Sequence, residues 1–117
     1  MKNNIAYIET EERRIPIVFN LNVMEEIQEQ YGSVAEWGEL TSGDGEPKIK
    51  DLKFGVMAMI NEAIDIENEE NGSNETPLNE KQVGRIISQV GLNGVLEKVQ
   101  ELTIASTDSG EDNGKNE

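Results

Sequence analysis

The sequence predicts a mainly helical α+β domain, in which an N-terminal β-hairpin is followed by four to five helices and a disordered acidic C-terminal tail. Two apolar, β-prone segments, residues 5–8 and 14–19, flank a polar turn, which is the pattern of a hairpin. After residue 20, apolar residues recur at helical spacing in segments that begin with cap residues. The 117 residues suit a single domain, which we place at residues 1–105, with the tail at 106–117.

Pro16 lies inside the second predicted strand. Since proline has no N–H to donate to a ladder, this strand should lie at an edge or leave that position unpaired. A two-stranded hairpin is marginally stable alone, so we expect it to pack on the helices or to pair with another chain.

Cap residues mark the starts of the first two helices. Asn22 followed by Glu25 resembles a capping box, and Gly32 suits the left-handed position that ends a helix. Ser33 and Glu36 form a second such box, which opens a short helix before the turn-rich loop at residues 41–47.

The third helix, expected over residues 51–68, should be the central helix of the core, because apolar residues cover more than one of its faces. Its main apolar stripe consists of Leu52, Val56, Met59, Ile60 and Ala63, with Phe54, Met57 and Ile64 beside it. The end of this helix is acidic at Glu67, Glu69 and Glu70. Negative charge is unfavourable at that end of the helix dipole, which predicts fraying.

Two further helices are predicted towards the C-terminus. Asn79 with Gln82 opens the first of them. Its predicted buried side chains are Val83, Ile86, Ile87 and Val90. The second should cover residues 95–105, after glycines at 91 and 94. Residues 106–117 contain no large apolar side chain, which predicts a tail that is disordered in isolation.

The chain is strongly acidic, with a formal charge of −14. The charge is uneven, because the segment from Phe54 to Glu80 contains no lysine or arginine. Phosphate binding needs clustered cations, so we expect neither nucleic acid nor an anionic membrane as a partner. The acidity either only keeps the surface solvated, or it docks a basic partner or mimics nucleic acid.

The sequence indicates a soluble protein that is not exported. No stretch approaches the roughly 20 apolar residues that span a bilayer. The first four residues lack the apolar core of a signal peptide.

Neither catalysis nor a cofactor or metal is indicated. The chain has no histidine and no cysteine, which removes imidazole bases, thiol nucleophiles and the usual zinc or haem ligands. Acid–base catalysis by paired carboxylates needs one raised pKa in a partly dry cleft, and every carboxylate pair falls on a predicted exposed face. We therefore expect a protein that is not an enzyme.

Five large side chains are candidates for binding a partner: Tyr31, Trp37, Phe54, Met57 and Met59. The simpler alternative is that they fill the core. If some of them line a groove, methionine would let that groove adapt to helices of different sequence. An acidic rim around it would favour a basic amphipathic partner.

Five features follow one another in the chain. They are a hairpin, a helix start at residues 19–27, Gly32, a methionine-containing helix at 54–63, and the Pro-Leu-Asn helix opening at 77–83. This order resembles the small tail assembly chaperones of long-tailed phages, prophages and gene transfer agents. Members commonly show a β-hairpin that leads into a pattern such as f-t-l-n-a-l-x-e-l-e-e-x-x-G. The resemblance covers residues 5–105, and the acidic loop at 67–75 and the acidic tail depart from it.

The resemblance implies binding of the long helical tape measure protein, which is kept soluble in the bacterial host cytoplasm until the tail tube polymerises around it. It implies no active-site residues, and a homo-oligomer is a further option. Two other functions stay open. One is an acidic inhibitor or nucleic-acid mimic that presents the acids of residues 62–80, and the other is a tail-completion or connector component, which would persist in purified virions.

Overall fold

In a computed structural model, the chain forms a β-hairpin followed by helices, as the sequence predicted. The structure describes the backbone of residues 5–42 and 45–116 and the side chains of residues 5–41 and 45–104. Within these residues the elements are β1 (Ala6–Glu9), β2 (Arg14–Ile17), α1 (Leu21–Tyr31), α2 (Val34–Ser42), α3 (Ile49–Asn71), α4 (Glu80–Val90) and α5 (Leu92–Asn116).

The hairpin packs on the helices, which was one of its two predicted solutions. β1 and β2 pair antiparallel with Tyr7 opposite Pro16 and Ile8 opposite Ile15. The isoleucines of this sheet point into the core, and β2 lies against α3. Just after β2, the Val18 N–H donates to the Met59 carbonyl at 3.3 Å, which fixes the hairpin to the middle of α3.

Helix α3 is the central helix, as predicted, and contacts β2, α1, α2 and α4. The predicted stripe is fully buried: Leu52, Val56, Met59, Ile60 and Ala63. The same buried core contains Val23 and Ile27 of α1, Trp37 of α2, Val83, Ile86 and Ile87 of α4, and Val95 and Val99 of α5. The other helices therefore cover the faces of α3 that the hairpin leaves open.

The N-cap of α1 is Asn20, so the predicted capping box at Asn22 is wrong. Asn20 has an extended backbone, and its Oδ1 accepts from the Val23 N–H at 3.2 Å. Asn22 lies inside the helix, where its Nδ2 donates to Glu62 of α3 at 2.9 Å. A long-range hydrogen bond thus uses the side chain that local spacing assigned to the cap. Gly32 ends α1 at the predicted residue with a positive φ of 95°, but its ψ of −41° lies outside the left-handed helical region.

The acidic end of α3 stays helical, contrary to the predicted fraying, and the helix continues to Asn71 with Gly72 in the left-handed conformation. Two contacts hold this end. The Tyr7 hydroxyl donates to Glu67 Oε2 at 2.6 Å. Asn68 Nδ2 donates to the Glu75 carbonyl at 3.0 Å, while its Oδ1 accepts from the Glu75 N–H at 2.9 Å.

The starts of α2 and α4 lie at the predicted cap residues, whereas α3 begins at Ile49 without a side-chain cap. Ser33 Oγ accepts from the Glu36 N–H at 3.0 Å, and Asn79 and Gln82 form a reciprocal capping box. Helix α5 begins at Leu92, earlier than expected, and its bounds extend to Asn116. The side chains of the predicted disordered tail at 106–117 lie outside the described part, so that expectation stays a prediction.

Candidate protein-docking groove

An open groove of about 660 Å³ lies between α1 and α3. Helix α1 lines it with Glu26 and Glu29, and α3 lines it with Phe54, Met57 and Asp65. Side chains from different turns of each helix therefore share one surface. This volume is in the range of protein clefts that bind organic ligands or several side chains of a partner.

The floor of the groove is apolar and partly exposed. Phe54 and Met57 are half-buried, since they lie beside the buried stripe of α3. The half-buried Tyr31 supports Phe54, with ring centroids 5.7 Å apart and planes at 74°, which is a favourable edge-to-face geometry. Of the five predicted partner-binding residues, Phe54 and Met57 lie in the groove, and Tyr31 contacts the Phe54 ring.

The rim of the groove is acidic. Glu26, Glu29 and Asp65 are exposed, and within the described residues no lysine or arginine forms an ion pair with any of them. Concentrated charge of one sign in a cleft attracts the opposite charge and increases the rate of association. A partner that fits this groove should carry an apolar stripe flanked by lysine or arginine.

Asparagine side chains fix the walls of the groove. Glu62 Oε2 accepts from both Asn20 and Asn22 at 2.9 Å, which ties the start of α1 to α3. Asn61 holds the segment before α4 through two bonds to Leu78: its Nδ2 donates to the carbonyl at 3.0 Å and its Oδ1 accepts from the N–H at 2.8 Å. The groove is therefore held open by bonds within the chain.

Trp37 and Met59, the other two predicted partner-binding residues, belong to the core. Their exposed fractions are 2% and 0%. The Trp37 indole N–H donates to the Asp51 carbonyl at 2.8 Å. The Asp51 carboxylate accepts from the Tyr31 hydroxyl at 2.7 Å. Burial, and then this hydrogen bond, raises the pKa of the Tyr31 hydroxyl, so at neutral pH it is a donor that joins α1 to α3.

A second, smaller groove of about 210 Å³ lies between α2 and α5. Trp37 and Val99 form its buried floor, and Ile104 at its end is 60% exposed. Its lining contains no charged side chain among the described residues. This groove offers apolar contact without the electrostatic component of the α1–α3 groove.

The described residues contain no group of three or more carboxylates placed to hold a metal ion. Among the helices in the described ranges, none combines the length and the apolar character that crossing a bilayer requires. Comparison with known protein families, with curated proteins and with solved structures finds no match to this chain.

Sequence reasoning missed the asparagines that shape the groove. Asn61 lies in the middle of α3, and Asn68 lies in its last turn. Asparagine is a poor residue for a helix interior, because its side chain competes for backbone groups. Its presence there was a signal that the side chain binds backbone elsewhere, although the sequence alone could not identify the partner.

Proposed function

We propose that this chain is a tail assembly chaperone of a long-tailed phage or prophage, which binds the tape measure protein and keeps it soluble in the bacterial host cytoplasm. The observation that carries the proposal is the α1–α3 groove, in which Phe54 and Met57 form an apolar floor within an acidic rim. The order of elements that resembles this family supports the same proposal. The chain acts through this surface and catalyses no reaction.

The groove matches the physical demand of such a partner. A long amphipathic helix exposes an apolar stripe that aggregates unless it is covered, and a groove lined by flexible apolar side chains can cover it. Methionine adapts to different partner side chains with little strain. The rim carboxylates of Glu26, Glu29 and Asp65 then pair with cations beside the stripe and disfavour acidic helices.

The decisive experiment is co-expression with the tape measure protein encoded beside this chain, which is recognisable as a very long coiled-coil-rich reading frame. We expect the soluble fraction of the tape measure protein to rise with the wild-type chain. The proposal fails if the tape measure protein is equally soluble with and without it.

Two matched variants locate the surface. Met57→Lys introduces a cation into the α1–α3 groove and should abolish rescue, while its long apolar stem lets the half-buried position stay packed. Ile104→Lys makes the same chemical change in the α2–α5 groove and should leave rescue intact. Loss of rescue in Ile104→Lys alone would move the binding surface to the second groove. Circular dichroism of each variant checks that it is folded.

A second candidate function is an acidic inhibitor that mimics nucleic acid. It is favoured by the positions of Glu62, Asp65 and Glu69 in α3, since residues spaced by three and four fall on one helix face. Binding of that kind would weaken steeply with salt. Binding by such an inhibitor would be weakened less by Met57→Lys than by Asp65→Lys. Binding by the chaperone would be lost in Met57→Lys, because it requires the apolar floor.

A further inference from the structure

A basic groove lies between the first turns of α3 and helix α4. It has a volume of about 630 Å³, and Lys53, Lys81 and Arg85 line it. The chain has ten lysines and arginines against 24 acids, so three cations on one groove are a strong local exception to its overall charge. Ile49, which is 49% exposed, lies in the same lining and supplies an apolar contact.

The cations of this groove have no acidic partner within the described part of the chain. The ion pairs there are Arg14 with Glu9 at 3.8 Å and Lys98 with Glu101 at 3.9 Å. Gly84 of α4 leaves room for the stem of Lys53, because a Cβ at that position would lie 3.3 Å from Lys53 Cδ. The Lys53 ammonium is therefore presented at the groove beside Lys81 and Arg85.

We propose that the basic groove docks onto the acidic rim of the α1–α3 groove of a second copy of this chain. The two surfaces have opposite charge, and the basic one is the flatter and more open of the two. Each also carries a partly exposed apolar centre, Ile49 in one and Met57 in the other. Complementary charge around an apolar contact is the usual arrangement of a specific interface.

The contact is head-to-tail, because two different surfaces of the chain meet. The pair then keeps one unused acidic groove on one copy and one unused basic groove on the other, so assembly can continue beyond a dimer. This self-association does not depend on the proposed function. If the α1–α3 groove also receives the tape measure protein, the two occupants compete, and self-association keeps the apolar floor covered until the partner is made.

Salt should affect the association in two opposite ways. Each copy carries a net charge of −14, and at low ionic strength this charge repels other copies. At physiological salt the screening length is about 8 Å, so the diffuse repulsion is reduced while contacts inside the groove persist; at 1 M it is about 3 Å and the contacts are screened as well. We expect the strongest association at intermediate salt.

The test uses two charge-reversal variants, each of which removes one side of the contact. Lys53→Glu/Arg85→Glu destroys the basic groove, and Glu26→Lys/Asp65→Lys destroys the acidic rim. A control, Arg13→Glu/Lys98→Glu, reverses two cations outside both grooves. Sedimentation equilibrium across a wide concentration range at intermediate salt measures the mass, and circular dichroism verifies folding.

The wild-type chain and the control should both exceed the mass of one chain, 13.0 kDa, as concentration rises. Each reversal variant alone should stay monomeric. An equimolar mixture of the two reversal variants should associate again, because the native acidic rim of one variant meets the native basic groove of the other and the two reversed surfaces also have opposite charges. The proposal would be overturned if the wild-type chain stayed monomeric up to about 1 mM. A Kd of that size corresponds to a binding free energy of only about −4 kcal/mol. A mixture that stays monomeric would overturn it too.

Discussion

The packing of Trp37 on Gly55 provides a sharp test of the α2–α3 contact. Gly55 is a buried position of α3, and the Trp37 ring lies directly on it. A Cβ built at Gly55 would lie 2.5 Å from Trp37 Cε2, 2.9 Å from Cη2 and closer still to Cζ2. Since carbon atoms pack at about 3.5–4 Å, Gly55→Ala should force the indole to move by about 1 Å or more.

The expected cost follows from three effects. Overpacking a core costs about 1–3 kcal/mol. Movement of the ring also weakens the bond from its N–H to the Asp51 carbonyl, which is worth about 0.5–1.5 kcal/mol. The gain from replacing glycine by alanine in a helix is about 1 kcal/mol in the opposite direction. We expect a net destabilisation of about 1–3 kcal/mol, or a Tm lowered by about 4 °C for each kcal/mol.

Gly38→Ala is the matched control, since Gly38 also lies inside a helix and a Cβ there meets nothing within 4 Å. We expect it to stabilise the domain by up to about 1 kcal/mol. Urea unfolding followed by circular dichroism measures both variants. In a Trp37→Leu background the cost of Gly55→Ala should disappear, because the clashing ring is absent. The inferred contact is refuted if Gly55→Ala is as stable as the wild-type chain.

Three other predictions concern single contacts. The pKa of Tyr31 is raised above its usual value of 10.0 in the folded state, so its contribution to folding stability is complete below about pH 10 and is lost as pH rises through the folded pKa. The Tm difference between the wild-type chain and Tyr31→Phe should therefore shrink above about pH 10. A difference that stays constant with pH would contradict this. Asn61→Ala should cost about 1–3 kcal/mol in urea unfolding, because it leaves two backbone groups of Leu78 unpaired, while the exposed Asn74→Ala should change stability by less than about 0.5 kcal/mol. Deletion of residues 106–117 should leave the Tm nearly unchanged, since they contain no large apolar side chain, and a drop of several degrees would mean that they pack on the domain.

The sequence was sufficient to predict the order of elements because each signal is local. The hairpin needs only two apolar segments around a turn, and the box of Asn79 and Gln82 is encoded within four residues. The errors arose where a distant residue decided the outcome. The sequence could not show that Asn22 donates a hydrogen bond to Glu62, 40 positions away. It also could not show that Tyr7 holds the end of α3 through Glu67, 60 positions away.

The site was predictable in composition but not in arrangement. An apolar groove with an acidic rim was one expectation, and Phe54 and Met57 lie in such a groove. Trp37 and Met59 looked equally suitable, because helical spacing marks an apolar face without showing how neighbouring helices cross it. The crossing of α2 over α3 at Gly55 buries Trp37, and the bond from Val18 to Met59 places Met59 under the hairpin.

The charge order along α3 is the reverse of what the stability of a helix favours. Lys48 is its N-cap, and Lys50 and Lys53 lie in the first turns with one acid, Asp51, between them; no basic residue lies in the last turn, which contains Glu69 and Glu70. A helix dipole favours acids at the start and bases at the end, by about 0.3–1 kcal/mol for each charge. The isolated helix would therefore gain stability from the opposite arrangement. Of these charges the proposed docking between copies uses Lys53, which lies in the basic groove; its contact with the acidic rim of another copy would offset its unfavourable position within its own helix.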